Sequence, residues 1–314
     1  MSRKTSVGGQ AVIEGVMMRG TKGIATAVRT SDGDINVKFE AVVPYSKKNK
    51  FFSIPIIRGF VSLIESLVIG IKTLNYSASL FEGEEEEEEP SKFEKWIERV
   101  LGDKVNDLII GFSLIVSLIF AITIFFIIPT FAANLFFKLK LNNIALNFIE
   151  GVIRVIIFIA YIYLIGKMSD INRVFQYHGA EHKTVFCYEN EDELTPENAS
   201  KYSRFHPRCG TNFLFLVMIV SIIVFSFTKW SSLPERILSR VLLLPVVSGV
   251  TYEIIRWMGK SKSSISHIFA YPGLMLQKLT TREPDYSQLE VAIKALKVAE
   301  GIEQEDEEGE NIEE

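Results

Sequence analysis

Cysteine and histidine are scarce in this chain of 314 residues, with two of the first and four of the second. Cys187 and Cys209 alone cannot build a disulfide framework, so reduced thiols on the cytosolic side are expected. The N-terminal stretch MSRKTSVGGQ lacks an apolar h-region, and no signal peptide is expected there. No internal repeat is visible. The glycines at 8, 9, 15 and 20 do not have the spacing of a dinucleotide fingerprint, and no βαβ unit follows them, which excludes that type of cofactor site. Their simplest reading is a tight set of strands and turns that need positive φ.

What the chain has in quantity is apolar side chains: 48% of residues are hydrophobic and the mean hydropathy is +0.21. Residues 108–128 carry no charge and are long enough to cross a bilayer core as a helix. Residues 213–228 are shorter and also uncharged, with Trp230 following as an interface anchor. Two further candidates, 149–168 and 237–257, contain ionisable residues: Glu150 and Arg154 in one, Arg240, Glu253 and Arg256 in the other. Glu150 and Arg154 lie four apart and can pair on one helix face. The favoured reading of these charges is that they sit at membrane edges and snorkel; the alternative is that they face the bundle and find partners.

Basic residues are plentiful before residue 51, number six between 167 and 212, and recur after Trp257, whereas the connections at 138–143 and 229–236 have two each. By the positive-inside rule both termini and the long middle segment then lie in the cytoplasm. The pI of about 5.8 and net charge of −4 arise from two acidic runs, residues 82–89 and 303–314, which read as solvated, disordered segments. Outside them basic residues predominate, which suits anionic lipid.

The fold class expected is a polytopic α-helical membrane protein with about four transmembrane helices and a small β-containing cytoplasmic N-terminal part. Its regions are a β-rich Gly-motif segment (1–50), an amphipathic or re-entrant helix (51–81), an acidic linker with an amphipathic segment (82–106), a four-span membrane domain (107–257) with a cytoplasmic His/Cys loop (169–212), C-terminal helices (258–300) and an acidic tail (301–314). Within 51–81, Arg58, Glu65 and Lys72 recur every seven residues and give the helix one charged face, which favours an interfacial helix over a fifth span. Residues 24–43 alternate apolar and polar around Ser31-Asp32-Gly33-Asp34, the pattern of a β-hairpin. A helix is expected from Tyr286 to Glu300, with Leu289, Ile293 and Leu296 on one face.

The rare residues are gathered. His178-Gly179-Ala180-Glu181-His182 fits H-x-x-E-H, in which imidazoles four apart on a helix reach one metal ion and the glutamate serves as general base. Further along, RFHPRCGTN offers His206 and Cys209, so that three of the four histidines and both cysteines fall within 32 residues. Imidazole and thiolate are usual ligands of Zn²⁺, so a divalent metal, zinc first, is the cofactor expected. Three readings stay open: an open metal site with Glu181 as catalytic base and His178, His182 and His206 or Cys209 as ligands; a closed structural site of His178, His182, His206 and Cys209; and no metal. Gln10, Glu14 and Arg19 would line a site if the glycine-rich segment has a role beyond folding. A transporter reading, based on Arg154, Arg240 and Glu253, finds no discontinuous inverted pair to support it. The partners expected are the lipid bilayer and a substrate of unknown class, with a homo-oligomer left open and no nucleic acid.

GGQAVIEGVMMRG, YHGAEHKT, HPRCGTNF and LTTREP together resemble the YqhQ family of bacterial membrane proteins, over roughly residues 6–290. The resemblance implies a bacterial plasma-membrane protein of the kind described as a predicted metal-dependent enzyme, without naming a reaction. The positions matching its motifs are Gln10, Glu14, Arg19, His178, Glu181, His182, His206, Arg208 and Cys209.

Overall fold

The computed structural model describes residues 7–42, 51–81, 105–135, 143–228, 232–261 and 263–303. The acidic run at 82–89, Trp230 and the tail beyond 303 lie outside them. Four strands, β1 (Gly8–Val12), β2 (Gly15–Arg19), β3 (Ile24–Arg29) and β4 (Ile35–Glu40), form an antiparallel meander in chain order. The β3–β4 pair is the expected hairpin, with Gly33 at φ 94° in its turn. Among the described residues ten α-helices follow: α1 (Ile57–Ser79), α2 (Val105–Ile122), which runs through a π-helical turn (Thr123–Ile127) into α3 (Ile128–Asn134), α4 (Asn143–Ile165), α5 (Ser169–Glu189), α6 (Pro196–Ser200), α7 (Gly210–Ser226), α8 (Leu233–Lys260), α9 (Ser264–Thr280) and α10 (Tyr286–Glu300).

Among the described residues, three stretches are long and apolar enough to cross a membrane: Gly111–Ala133, Ile144–Ile165 and Pro234–Met258. The fourth apolar helix, Gly210–Ser226, is shorter. Of the segment expected as a loop, 169–212, the first part is the helix α5 and a short helix α6 follows it.

The chain divides into two compact units: residues 1–81, 159–221 and 242–314 form one, and residues 82–158 and 222–241 the other. In the first, register places Gly9, Ala11, Val16, Met18, Ala25, Ala27, Val37 and Phe39 on one face of the sheet. This face packs on α5 and α10 through Tyr177, Ala180, Leu289, Ala292, Leu296 and Ala299. Small residues on the strands let the helices approach closely, and burial of this apolar surface is the main stabilising term. α10 has the expected bounds, and its start is fixed by a capping box between Asp285 and Gln288, Pro284 lying just outside. α1 lies across the opposite sheet face, where Arg19 Nη2 meets Glu65 Oε1 at 3.3 Å and Ser77 Oγ accepts from the Ile13 amide.

The second unit corrects the snorkelling expectation for Glu150, Arg154 and Arg240. Glu150, 1% exposed, is surrounded by Arg154 (Nη2 at 2.8 Å), Arg240 (Nη2 at 2.5 Å) and Arg236, and Thr130 donates to it at 3.0 Å. Arg154 Nε also donates to the Phe125 carbonyl at 2.9 Å, inside the π-helical turn. Ionisable groups so far from water persist only when they satisfy one another, and here they tie α3, α4 and α8 together.

A second correction concerns the glycine-rich motif. Gly33 and Gly301 are the glycines with positive φ among the described residues. In the motif itself it is Glu14, at φ 50°, that occupies the left-handed turn position. The motif's glycines matter for what a side chain would strike. At Gly9 a Cβ would run into the Met17 carbonyl and lie 3.1 Å from Glu181 Cγ.

Candidate functional site

α5 presents its polar residues inward: Glu181, His182, Lys183 and Thr184 are all buried. A helix can bury such residues only if the surrounding backbone satisfies them. His178 Nδ1 lies 2.8 Å from the Thr280 carbonyl, and His182 Nδ1 lies 2.5 Å from the Arg204 carbonyl. A ring nitrogen facing a carbonyl must carry the proton and donate, so in the neutral ring Nε2 is the nitrogen with the lone pair. Lys183 Nζ donates to the carbonyls of Ser200 and Tyr202, at 2.9 Å each, and holds the segment that supplies Arg204.

The two Nε2 atoms converge on Cys209. Sγ is 3.2 Å from His178 Nε2, and one atom from each of His178, His182 and Cys209 lies within 4.8 Å of the others. Cys209 immediately precedes α7, and the Thr211 amide donates to its sulfur at 3.4 Å. His182 Nε2 is buried and has no hydrogen-bond partner. Burial holds the His182 imidazole below its ordinary pKa, although contact with Cys209 works the other way. It is therefore neutral, the form that binds metal. An orphaned buried nitrogen, a second nitrogen turned the same way by a carbonyl, and a sulfur beside both are the donor set that a soft or borderline divalent ion takes.

His206 stands one step back. Its ring centroid is 5.7 Å from that of His182 and its Nε2 is 3.5 Å from Glu189 Oε2. Burial pushes its pKa down to about 4, so this contact is between a neutral ring and a carboxylate whose charge partner is Arg208. The backbone of His206 is clamped by Gln277, which accepts from its amide and donates to its carbonyl at 2.8 Å each.

Glu181 shares the inward face of α5 with both histidines. Burial raises its pKa above the usual carboxylate range, opposed by His178, His206 and the Gly9 amide that donates to it. The glycine-rich strand thus meets the histidine helix. Gln10, Arg19, His178, Glu181, His182, His206, Arg208 and Cys209 all line one cleft of about 530 Å³. Glu14 is elsewhere: it pairs with Arg173 and accepts from the Tyr177 hydroxyl at 3.2 Å, fastening the β1–β2 turn to α5. Cys187 is in the core, its thiol pushed up to about 11 by burial.

Sequence reasoning missed the groups that aim the site: the Thr280 and Arg204 carbonyls, Gln277 and the Thr211 amide. Backbone donors and acceptors leave no trace in residue identity. One signal was available in Gly179, whose Cβ would collide with the Arg282 carbonyl, so the LTTREP segment can lie against α5.

Comparison with known proteins adds relatives. Residues 54–301 match the family described as "Protein of unknown function (DUF1385)". The chain is 37% identical over 290 residues to "Uncharacterized protein YqhQ" of Bacillus subtilis (strain 168), covering 92% of this chain and 90% of that one. No solved structure matches. The chain belongs to the DUF1385 family, the family of YqhQ-like proteins.

Proposed function

We propose that this protein is a metal-dependent integral membrane enzyme, most simply a hydrolase, whose site faces the cytoplasm of a bacterial cell. The observation that carries the reading is the buried, unpartnered His182 Nε2 turned toward His178 Nε2 and Cys209 Sγ. These three residues would hold a divalent ion, zinc being the best match to two nitrogens and a sulfur. Such an ion supplies Lewis acidity and makes water easier to deprotonate. The chain's own groups do the rest. The Thr280 and Arg204 carbonyls hold the proton on Nδ1 of both imidazoles and orient each Nε2. Glu181, with its proton affinity raised by burial, takes a proton from water and passes it to the leaving group, a role worth about 10²–10⁴ in rate. Arg19, Arg208 and Gln10 bind polar parts of the substrate along the cleft wall.

The membrane reading counts Gly210–Ser226 as a fourth crossing beside the three longer helices, with both termini cytoplasmic. The charge distribution supports it, since the basic segments fall on one side under that count. Reporter fusions at residues 140 and 230 should give extracytoplasmic signals, and a cytoplasmic signal from either would reject the four-span topology.

A second reading is a regulator or accessory protein with a structural metal or thiol site. It is favoured by the way the cluster ties α5 to the residue that starts α7. Elemental mass spectrometry of the detergent-purified chain separates the two in stages. Near-stoichiometric metal is expected in the wild type and none in His178→Ala/His182→Ala. Glu181→Gln should keep the metal and fail to complement a deletion strain; full complementation would remove the enzyme reading and leave the structural one.

A further inference from the structure

α1 forms one wall of the cleft and has two unlike faces. Its first turn is seated on α8, within the membrane-crossing stretch Pro234–Met258. Arg58 Nε donates to Glu253 Oε1 at 2.6 Å, and a side chain at Gly59 would strike Tyr252 and Gly249. From that anchor the helix exposes Ile64, Leu67, Val68, Ile71 and Leu74, each between 37% and 53% exposed and spaced along one side. Among the described residues no protein element covers this stripe, and a continuous apolar stripe starting at a membrane-crossing helix matches the bilayer interface. Around the helix from it, Ser66 and Ile69 line the cleft and Gly70 lies against the Gln10 side chain.

The lining of the cleft is likewise amphiphilic. Met17, Ile69 and Phe175 supply apolar surface, while Arg19 and Arg208 supply cationic side chains. Glu65 and Glu189 hold these guanidiniums in position, so neither must be ordered when a ligand arrives. We infer that the cleft admits the headgroup of an anionic phospholipid, drawn from the bilayer along α1. This deepens the hydrolase reading and rests on it for what happens next: the phosphate would lie toward the two arginines and the glycerol end against Met17, Ile69 and Phe175. Arginine suits such a headgroup because its planar fork matches phosphate oxygens.

The test is photolabelling of the full-length chain in phosphatidylethanolamine vesicles doped with phosphatidylglycerol that carries a diazirine at the glycerol end of one acyl chain. Labelled peptides are mapped by mass spectrometry, with and without prior chelator treatment. Peptides containing Met17, Ile69 or Phe175 should be labelled, and Ser66→Trp, which plugs the cleft from an exposed position, should cut that labelling about tenfold. Size-exclusion behaviour checks that the variant is folded. If it is not, competition by unlabelled lipid decides in its place: excess phosphatidylglycerol should displace the cleft label and equal phosphatidylcholine should not. Label confined to α2, α4, α7 and α8, cleft label that survives a folded Ser66→Trp, or displacement by phosphatidylcholine as readily as by phosphatidylglycerol would each overturn the inference. Cleft labelling in a protein that never binds metal would sink the hydrolase reading alone; bound metal without cleft labelling would sink the lipid inference alone.

Discussion

Gly179 sits in the middle of a helix, where alanine ordinarily stabilises by about 1 kcal/mol. Here a Cβ would meet the Arg282 carbonyl, whose neighbour Arg282 N bonds the Phe175 carbonyl at 2.8 Å. Gly179→Ala is therefore expected to destabilise the protein by about 1–3 kcal/mol, the usual cost of overpacking. A rise in the thermal unfolding midpoint would contradict the packing described. Gly9→Ala is expected to do more than lower stability, because Gly9 also donates to Glu181; at a permissive temperature it should keep the metal and lose activity. Loss of both together would mean that Gly9 acts only through the fold. The His-x-x-Glu-His spacing was legible because helical geometry alone places those side chains together. The holders of the imidazoles were not, since any residue can offer a carbonyl.

Elements were legible where burial followed a simple period. α10 has the expected place because its apolar residues recur at helical spacing toward the core, and the hairpin because β4 alternates half-buried and exposed residues beside a β3 that is buried on both faces. α5 was legible only around H-x-x-E-H: its buried residues mix Glu181, His182, Lys183 and Thr184 with Ala180, Val185 and Cys187, so no apolar period marks its full length. The membrane helices overrun their uncharged windows for a related reason. Glu150, Arg236 and Arg240 cancel one another within the helices rather than marking helix ends. Removing the single carboxylate would leave the guanidiniums buried without it. Glu150→Gln is expected to cost about 3–5 kcal/mol and to give aggregated protein in mild detergent. An unchanged monodisperse profile and unfolding midpoint would show that the cluster does not hold the helices. At the other end of α10, Asp285→Ala removes the cap that accepts the Gln288 amide at 2.9 Å, an expected loss of about 1 kcal/mol in denaturant unfolding.

At the scale of the whole molecule, the unit that carries the cleft is assembled from three separate lengths of chain. Its sheet comes from the first forty-odd residues, its histidine helix from the middle and its closing helix from the end. The Thr21 amide bonds Glu300 across 279 positions, and Arg29 bonds the Ser287 carbonyl across 258. During synthesis the sheet leaves the ribosome first and must wait for α10. At about 5–20 residues per second that delay is on the order of tens of seconds. Until α10 appears, this face of the sheet has only α5 to pack against, and Val16, Met18, Ala25 and Ala27 stay partly uncovered. Nascent chains of this protein would then be clients for a holding chaperone until the last helix has closed over the sheet.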